Sequence, residues 1–253
     1  MRVLARLKYN GSEYCGWQIQ PNSLTIQETV EKKLTMLLNL DVKVIGCGRT
    51  DTGVHANDFY LHFDLEKGYE VDFGNLKYKL NSVLPSSIAI TELREAFKDF
   101  HARFSATSRQ YKYYINLTKD PFKENYWFVR QPLDLKAMQK AIAYLFDYED
   151  FTSFSKLHTD AKTNLCRITQ ADLQKNDDSI VFTISANRFL RNMVRAIVGT
   201  LVEIGLGKKS PQDMKEIIEA RDRSRAGSSA PPQGLFLNRI IYPQELIQDK
   251  NNE

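Results

Sequence analysis

The residues best suited to chemistry lie between Gly48 and Ala56, where the chain reads Gly-Arg-Thr-Asp-Thr-Gly-Val-His-Ala. Asp51 stands two residues after Arg49 and two before Gly53, with His55 four residues further on. Glycine on both sides lets the backbone turn sharply and approach a ligand closely. A carboxylate on such a turn can act as a nucleophile or a general base. An aspartate beside glycine is more often a plain turn residue. Here, however, Arg49, Asp51 and His55 fall within one short segment that follows an apolar run. Asp51-Thr52-Gly53 also spells the triplet of aspartic proteases, whose chemistry needs two carboxylates sharing one proton. No second Asp-Thr-Gly or Asp-Ser-Gly occurs in the chain. A dimeric aspartic protease would therefore need a symmetric partner and a mostly β fold.

The elements that must position this segment alternate helix with strand. Val3, Ala5, Leu7 and Tyr9 alternate with Arg2, Arg6 and Lys8, which predicts a strand over Arg2 to Tyr9. Thr25 and Glu28 have the spacing of a capping box, and Ile26, Val30, Leu34, Leu37 and Leu38 form a helical stripe behind it. Val42 to Cys47 reads as a second strand, and Phe59, Leu61 and Phe63 mark a third. Leu76, Leu80, Val83 and Leu84 predict a helix stopped by Pro85, and Ile88 to Leu93 a fourth strand. The order β-α-β-β-α-β is that of a split βαβ, or ferredoxin-like, unit.

The second half repeats this order. A tyrosine-rich strand is expected over Arg109 to Asn116, and a helix carries Leu135, Met138, Ile142 and Leu145. Ile168 to Leu173 pairs with Ser179 to Ala186 around the polar turn Lys175 to Asp178. Phe189 to Ile204 reads as a helix, Ser210-Pro211 opens another, and Leu235 to Ile241 is the closing strand. The expected fold is α+β: two similar ferredoxin-like domains with antiparallel sheets flanking a central basic cleft. The first domain, residues 1–105, carries the Asp51 loop, the second spans 106–246, and a polar tail follows at 247–253.

Composition narrows the function classes. With 35 Lys and Arg against 31 Asp and Glu, the net charge is +4, which permits nucleic-acid binding without requiring it. No apolar run is long enough for a membrane span, and the alternating first residues do not resemble a secretion signal. Three scattered cysteines, Cys15, Cys47 and Cys166, fit neither a disulfide framework nor a zinc site, so a reducing cytoplasm is expected. The chain has no phosphate-binding loop, dinucleotide fingerprint or clustered Cys and His ligands, so neither cofactor nor metal is expected.

Ordered motifs then run the length of the chain. Gly48-Arg49-Thr50-Asp51-x-Gly53-Val54-His55-Ala56 resembles the signature of the tRNA pseudouridine(38–40) synthases of the bacterial A type. Tyr9-Asn10-Gly11-Ser12, Gly16-Trp17-Gln18 and Ile26-Gln27-Glu28 are similar to that family's opening segment. Leu80-Asn81-Ser82-Val83-Leu84-Pro85, Phe100 to Ala106, Tyr111-Lys112-Tyr113 and Asp150 to Phe154 also match, as do the segments Asn187 to Gly199 and Ala230 to Leu235. Thr52 stands where the family usually has alanine, Asn57-Asp58 departs from its common run, and Ser229 replaces a threonine.

The resemblance implies isomerisation of uridine to pseudouridine at positions 38, 39 and 40 in the anticodon stem-loop of tRNA, by a cytoplasmic homodimer without cofactor. By resemblance Asp51 is the catalytic carboxylate, attacking ribose C1′ or removing a C2′ proton. Arg195 is its charge partner, Tyr111 contacts the uracil, and Arg49 helps hold the target nucleotide out of the stack. An enzyme acting on a paired base must extrude it, at a cost of about a few kcal/mol. Arg103, Arg188 and Arg191 are candidate RNA contacts, the last two on a shared helix face with Arg195, and Leu235 is a candidate pocket wall. His55 is expected to be structural. A non-catalytic RNA-binding protein on the same α+β units is the rival reading. It leaves unexplained a carboxylate set to face a polyanion.

Overall fold

The computed structural model describes residues 1–66, 68–156 and 163–247. The chain is mixed α and β with mostly antiparallel strand pairing. It divides into two compact units, one formed by Met1–Thr107 together with the segment starting at Leu237, the other by Ser108–Phe236.

In the first unit the elements run β1 (Arg2–Tyr9), α1 (Ile26–Leu38), β2 (Ile45–Gly46), β3 (His55–Asp64), α2 (Phe73–Val83) and β4 (Ile88–Glu95). β1 is central, pairing antiparallel with β3 from Arg2↔Asp64 to Tyr9↔Ala56 and with β4 on its other side. The sheet path runs β4-β1-β3, and the two-residue β2 pairs with β3 beside that path. Thr25 Oγ1 caps α1 by accepting from Glu28 N at 3.3 Å, while the Glu28 carboxylate pairs with Lys32 at 2.7 Å. Ile26, Val30, Leu34 and Leu38 bury one face of that helix. The expected strand over Val42 to Cys47 shrinks to two residues. Val42 N donates instead to Thr35 Oγ1 at 3.2 Å, and Val44 N to Glu31 Oε1 at 2.9 Å. These two backbone donors are satisfied by α1 side chains, so no neighbouring strand is needed.

The second unit contains β5 (Ser108–Asn116), β6 (Trp127–Phe128), α3 (Leu135–Ala143), β7 (Ile168–Asn176), β8 (Ser179–Ala186), α4 (Met193–Gly205) and α5 (Pro211–Ala220). β8 lies between β5 and β7, antiparallel to both, and the short β6 runs parallel to β5. The β7–β8 turn is tighter than expected, with pairing continuing to Asn176↔Ser179. Ser210 and Asp213 complete a capping box, with Pro211 opening α5. α4 starts later than the apolar pattern suggests. Asn192 adopts a left-handed φ of 67°, and Asn187 Oδ1 accepts from Arg167 N at 2.8 Å and from Arg188 N at 2.9 Å. Residues 188–192 are thereby held outside the helix. Arg188 and Arg191 therefore do not share a helix face with Arg195, which alone of the three lies on α4.

The chain leaves the second unit through β9 (Leu235–Ile241) and ends its described part in α6 (Gln244–Ile247). From residue 248 the expected polar tail lies outside the described residues. Buried Asp58 accepts from Ile240 N at 3.1 Å and pairs with Arg6 at 2.6 Å, tying β9 into the first unit. Among the described residues no helix is long and apolar enough to cross a membrane.

Candidate active site

Asp51 opens a four-residue turn closed by Val54 N donating to Asp51 O at 3.1 Å. Gly53, third in the turn, has φ +76°, a conformation that side chains other than glycine's rarely adopt. Thr52 at the second position is exposed, so the departure from the family's alanine points into solvent. Asp51 is half-buried and Arg49 exposed on the same loop.

The loop is clamped to the segment after β1. Tyr9 OH and Thr50 Oγ1 share a buried hydrogen bond of 2.9 Å. Trp17 N donates to Thr50 O and Gly53 N to Tyr14 O, both at 3.2 Å. His55 is buried, and its Nδ1 accepts from Gly11 N at 3.0 Å, so this nitrogen carries no proton and the ring holds loop backbone. The two segments touch so closely that a Cβ on Gly11 would lie 2.1 Å from Val54 O, and one on Gly16 2.4 Å from Thr50 O. The motif Tyr9-Asn10-Gly11 carried the signal for this clamp. Its role in holding Asp51 was not evident from residue types alone.

The second unit holds Tyr111, Arg195 and Leu235 on a frame of its own. Tyr111 lies on β5 opposite Ile184, its ring 5.2 Å from that of Phe189 in an edge-on contact. Two residues along, and so on the same face, Tyr113 is buried and its OH donates to Pro231 O at 2.7 Å. Burial pushes the Tyr113 phenol well above the usual tyrosine range, and the Arg195 charge opposes that shift. Arg195, in the first turn of α4, donates from Nε to Ala230 O at 2.7 Å, and Ala230 N donates back to Arg195 O at 2.9 Å. A Cβ on Gly199 would lie 1.7 Å from Ser228 O, so glycine is what lets this segment press against α4. Asn192 and Arg223 both donate to Ser229 Oγ, a role that the family's usual threonine hydroxyl would serve equally. Leu235 is buried at the start of β9. Arg188 and Arg191 lie on the stretch before α4, half-buried and exposed respectively, and Arg103 is exposed in the first unit.

Among the described residues no three His, Cys, Asp or Glu side chains gather as metal ligands.

The family model described as tRNA pseudouridine synthase matches residues 141–243. A tRNA pseudouridine synthase A from Bacteroides fragilis is 51% identical over 249 residues, covering 98% of each chain. The chain belongs to the tRNA pseudouridine synthase A family. A relative of the same name from Parabacteroides distasonis is 50% identical, covering 97% of this chain and 98% of its own. Another from Thermoanaerobacter pseudethanolicus is 40% identical over 95% of this chain and 99% of its own. Among solved structures, a chain titled "Crystal Structure of a Cbf5-Nop10-Gar1 Complex" aligns with 92% of this chain and 57% of its own. At 12% identity and a TM-score of 0.35, that alignment is too weak to support a fold assignment. Family membership gives the Asp51 loop a chemical context that the turn alone lacks. Both the clamp in the first unit and the α4 frame in the second are built from segments that carry the family's motifs.

Proposed function

We propose that Asp51 is the catalytic carboxylate of a reaction that isomerises uridines 38, 39 and 40 in the anticodon stem-loop of tRNA. As a member of its family the chain is an isomerase that converts uridine to pseudouridine in tRNA. The observation that carries this reading is identity of 51% over 98% of the chain with a tRNA pseudouridine synthase A. The non-catalytic and protease readings are not favoured.

The reaction breaks the N1–C1′ bond, turns the uracil, and forms a C5–C1′ bond. In one route an Asp51 oxygen attacks C1′, uracil leaves with the bonding electrons, and C5 later displaces the carboxylate. In the other, Asp51 takes the C2′ proton to give a glycal and returns it. In both, the proton lost from C5 is matched by one gained at N1, so no oxidant or reductant enters. Both need an ionised carboxylate, and a nearby guanidinium favours that form.

In this proposal Arg195 supplies the guanidinium, Tyr111 packs against the uracil, and Arg49 occupies the space vacated by the extruded base. Arg103, Arg188 and Arg191 contact the RNA backbone, and Leu235 lines the pocket. Two ferredoxin-like halves and a basic cleft belong to the same proposal, supported in the first unit by the β-α-β-β-α-β element order and the antiparallel run β4-β1-β3. A cytoplasmic homodimer is the proposed form of the enzyme, on the strength of the family resemblance.

The test is to incubate the protein with unmodified tRNA, without added cofactor, and to map pseudouridine. Product at positions 38 to 40 is expected. Product confined to other regions, or none, would overturn the assignment.

A further inference from the structure

The turn after Phe100 presents an aromatic side chain in an unusual way. Phe104 is 75% exposed. A phenylalanine left outside forgoes the gain of burying its ring. A single exposed apolar residue is common and carries little weight by itself. What distinguishes this one is the backbone beneath it.

Residues 98–105 are tied at almost every step. Arg2 Nη1 donates to Lys98 O at 3.0 Å and to Phe100 O at 2.8 Å. Phe100 and Ala102 are fully buried. Ala102 N donates to His62 Nδ1 at 3.2 Å, and Ala102 O accepts from Tyr242 OH at 2.6 Å. His101 N donates to Ser105 Oγ at 3.0 Å, and Ser105 N donates back to His101 O at 2.9 Å. Arg103 N and Phe104 N both donate to His101 Nδ1 at 3.2 Å, so the imidazole caps the turn from within. The His101 ring lies 4.4 Å from that of Phe104 at 35°, and the Arg103 guanidinium is 5.5 Å from the Phe104 centroid.

A rigid turn therefore holds a largely open aromatic ring beside a cation. A flat π surface attracts another flat π surface, and an adjacent guanidinium attracts phosphate. Stacking platforms for unpaired bases combine these two features. An apolar protein partner would favour a wider greasy patch without the arginine.

We propose that Phe104 is a stacking site for an unpaired nucleobase of the RNA substrate, with Arg103 engaging the adjoining phosphate and His101 as the positioning residue of the turn. This inference rests on the reading of the chain as a tRNA-acting enzyme. It adds a contact outside the Asp51 loop, one that holds substrate without touching the reacting atoms.

The test measures tRNA affinity by filter binding over a range of salt concentrations for wild type, Phe104→Ala, Phe104→Trp and Arg103→Ala. Phe104→Ala should weaken binding roughly 5- to 100-fold with the salt dependence unchanged, and Phe104→Trp should restore it. Arg103→Ala should lower the salt slope by about one phosphate contact. Phe104 is exposed, so melting temperatures should match wild type. Wild-type binding with an unaffected Phe104→Ala variant would overturn the stacking site alone, as would a Trp variant no better than Ala. Failure of the wild type to bind tRNA at all would instead overturn the underlying functional reading.

Discussion

The Asp51 loop and the α4 frame each fix candidate catalytic groups, but they use different materials. Around Asp51 the fixing is loop against loop. Tyr9 and Thr50 share a hydroxyl contact, His55 accepts from Gly11 N, and glycines at 11 and 16 permit backbone approach. Around Arg195 a helix and a strand do the work. Arg195 and Ala230 exchange two hydrogen bonds, Tyr113 reaches Pro231, and Gly199 lets the 228–230 segment lie on the helix. Regular elements derive rigidity from their own ladders and from a buried face, whereas a loop must acquire it contact by contact. The contrast teaches that the Asp51 carboxylate, the proposed reacting group, depends on many small local bonds. The aromatic and cationic groups instead inherit their positions from the core of the second unit.

Substitutions can break either side of this comparison. The largest expected effects on folding come from Gly199→Ala and Gly11→Ala, whose new methyl groups would lie 1.7 Å and 2.1 Å from carbonyl oxygens. Each should cost about 1–3 kcal/mol or more, measured by urea unfolding. Gly199→Ala should do more damage because it strikes the buried α4, while Gly11→Ala should lower turnover more for the same loss of stability. Equal damage to both quantities at both sites would erase the distinction.

Tyr9→Phe and Tyr113→Phe form the next pair, each deleting one hydroxyl contact at an expected cost of about 0.5–1.5 kcal/mol. Tyr9→Phe should slow turnover with little change in KM, because it slackens the Asp51 loop and leaves the proposed RNA contacts outside that loop in place. Steady-state kinetics on unmodified tRNA separates the two terms.

A pH effect of intermediate size is expected at His62. Burial, reinforced by Arg2 and His101, lowers this imidazole to about 4. Its folded value lies below the ordinary 6.5, so the neutral ring is favoured by folding. The resulting stability is present above about pH 6.5 and is lost as pH falls toward 4. Denaturation midpoints at pH 7 and 4.5 should fall more for wild type than for His62→Asn, which keeps an acceptor without the titration. The smallest effect belongs to Thr52→Ala. The side chain is exposed on the turn, so stability should stay within about 0.5 kcal/mol, and thermal melting checks this.

How much of this was legible in the sequence depends on how local the causes are. The Asp51 turn could be read because its residues are contiguous and glycine marks the bend. Most strands and helices followed from periodicity, including the capped start of α5. Two failures have specific physical origins. The strand expected over Val42 to Cys47 lost backbone donors to Thr35 and Glu31 of α1, contacts that no local pattern announces. The helix expected from Phe189 begins at Met193 because Asn192 turns left-handed, although Phe189, Leu190 and Met193 continue the apolar spacing. That misreading put Arg188 and Arg191 on a face they do not share with Arg195. Tyr111 and Arg195 were singled out only through family resemblance, since a strand tyrosine and a helix arginine carry no chemical signal alone. Phe104 entered only as part of the motif Phe100 to Ala106, because residue types do not show the His101 cap beneath it.

The central claim is that Asp51 is the reacting carboxylate of a tRNA pseudouridine synthase. The most direct measurement maps pseudouridine in unmodified tRNA after incubation with wild type and with Asp51→Asn, each shown to be folded and to bind tRNA. The account predicts pseudouridine in the anticodon arm with wild type and a loss of about 10⁴-fold or more in turnover for the variant, with affinity nearly preserved. An Asp51→Asn protein that still forms pseudouridine at a comparable rate would contradict it.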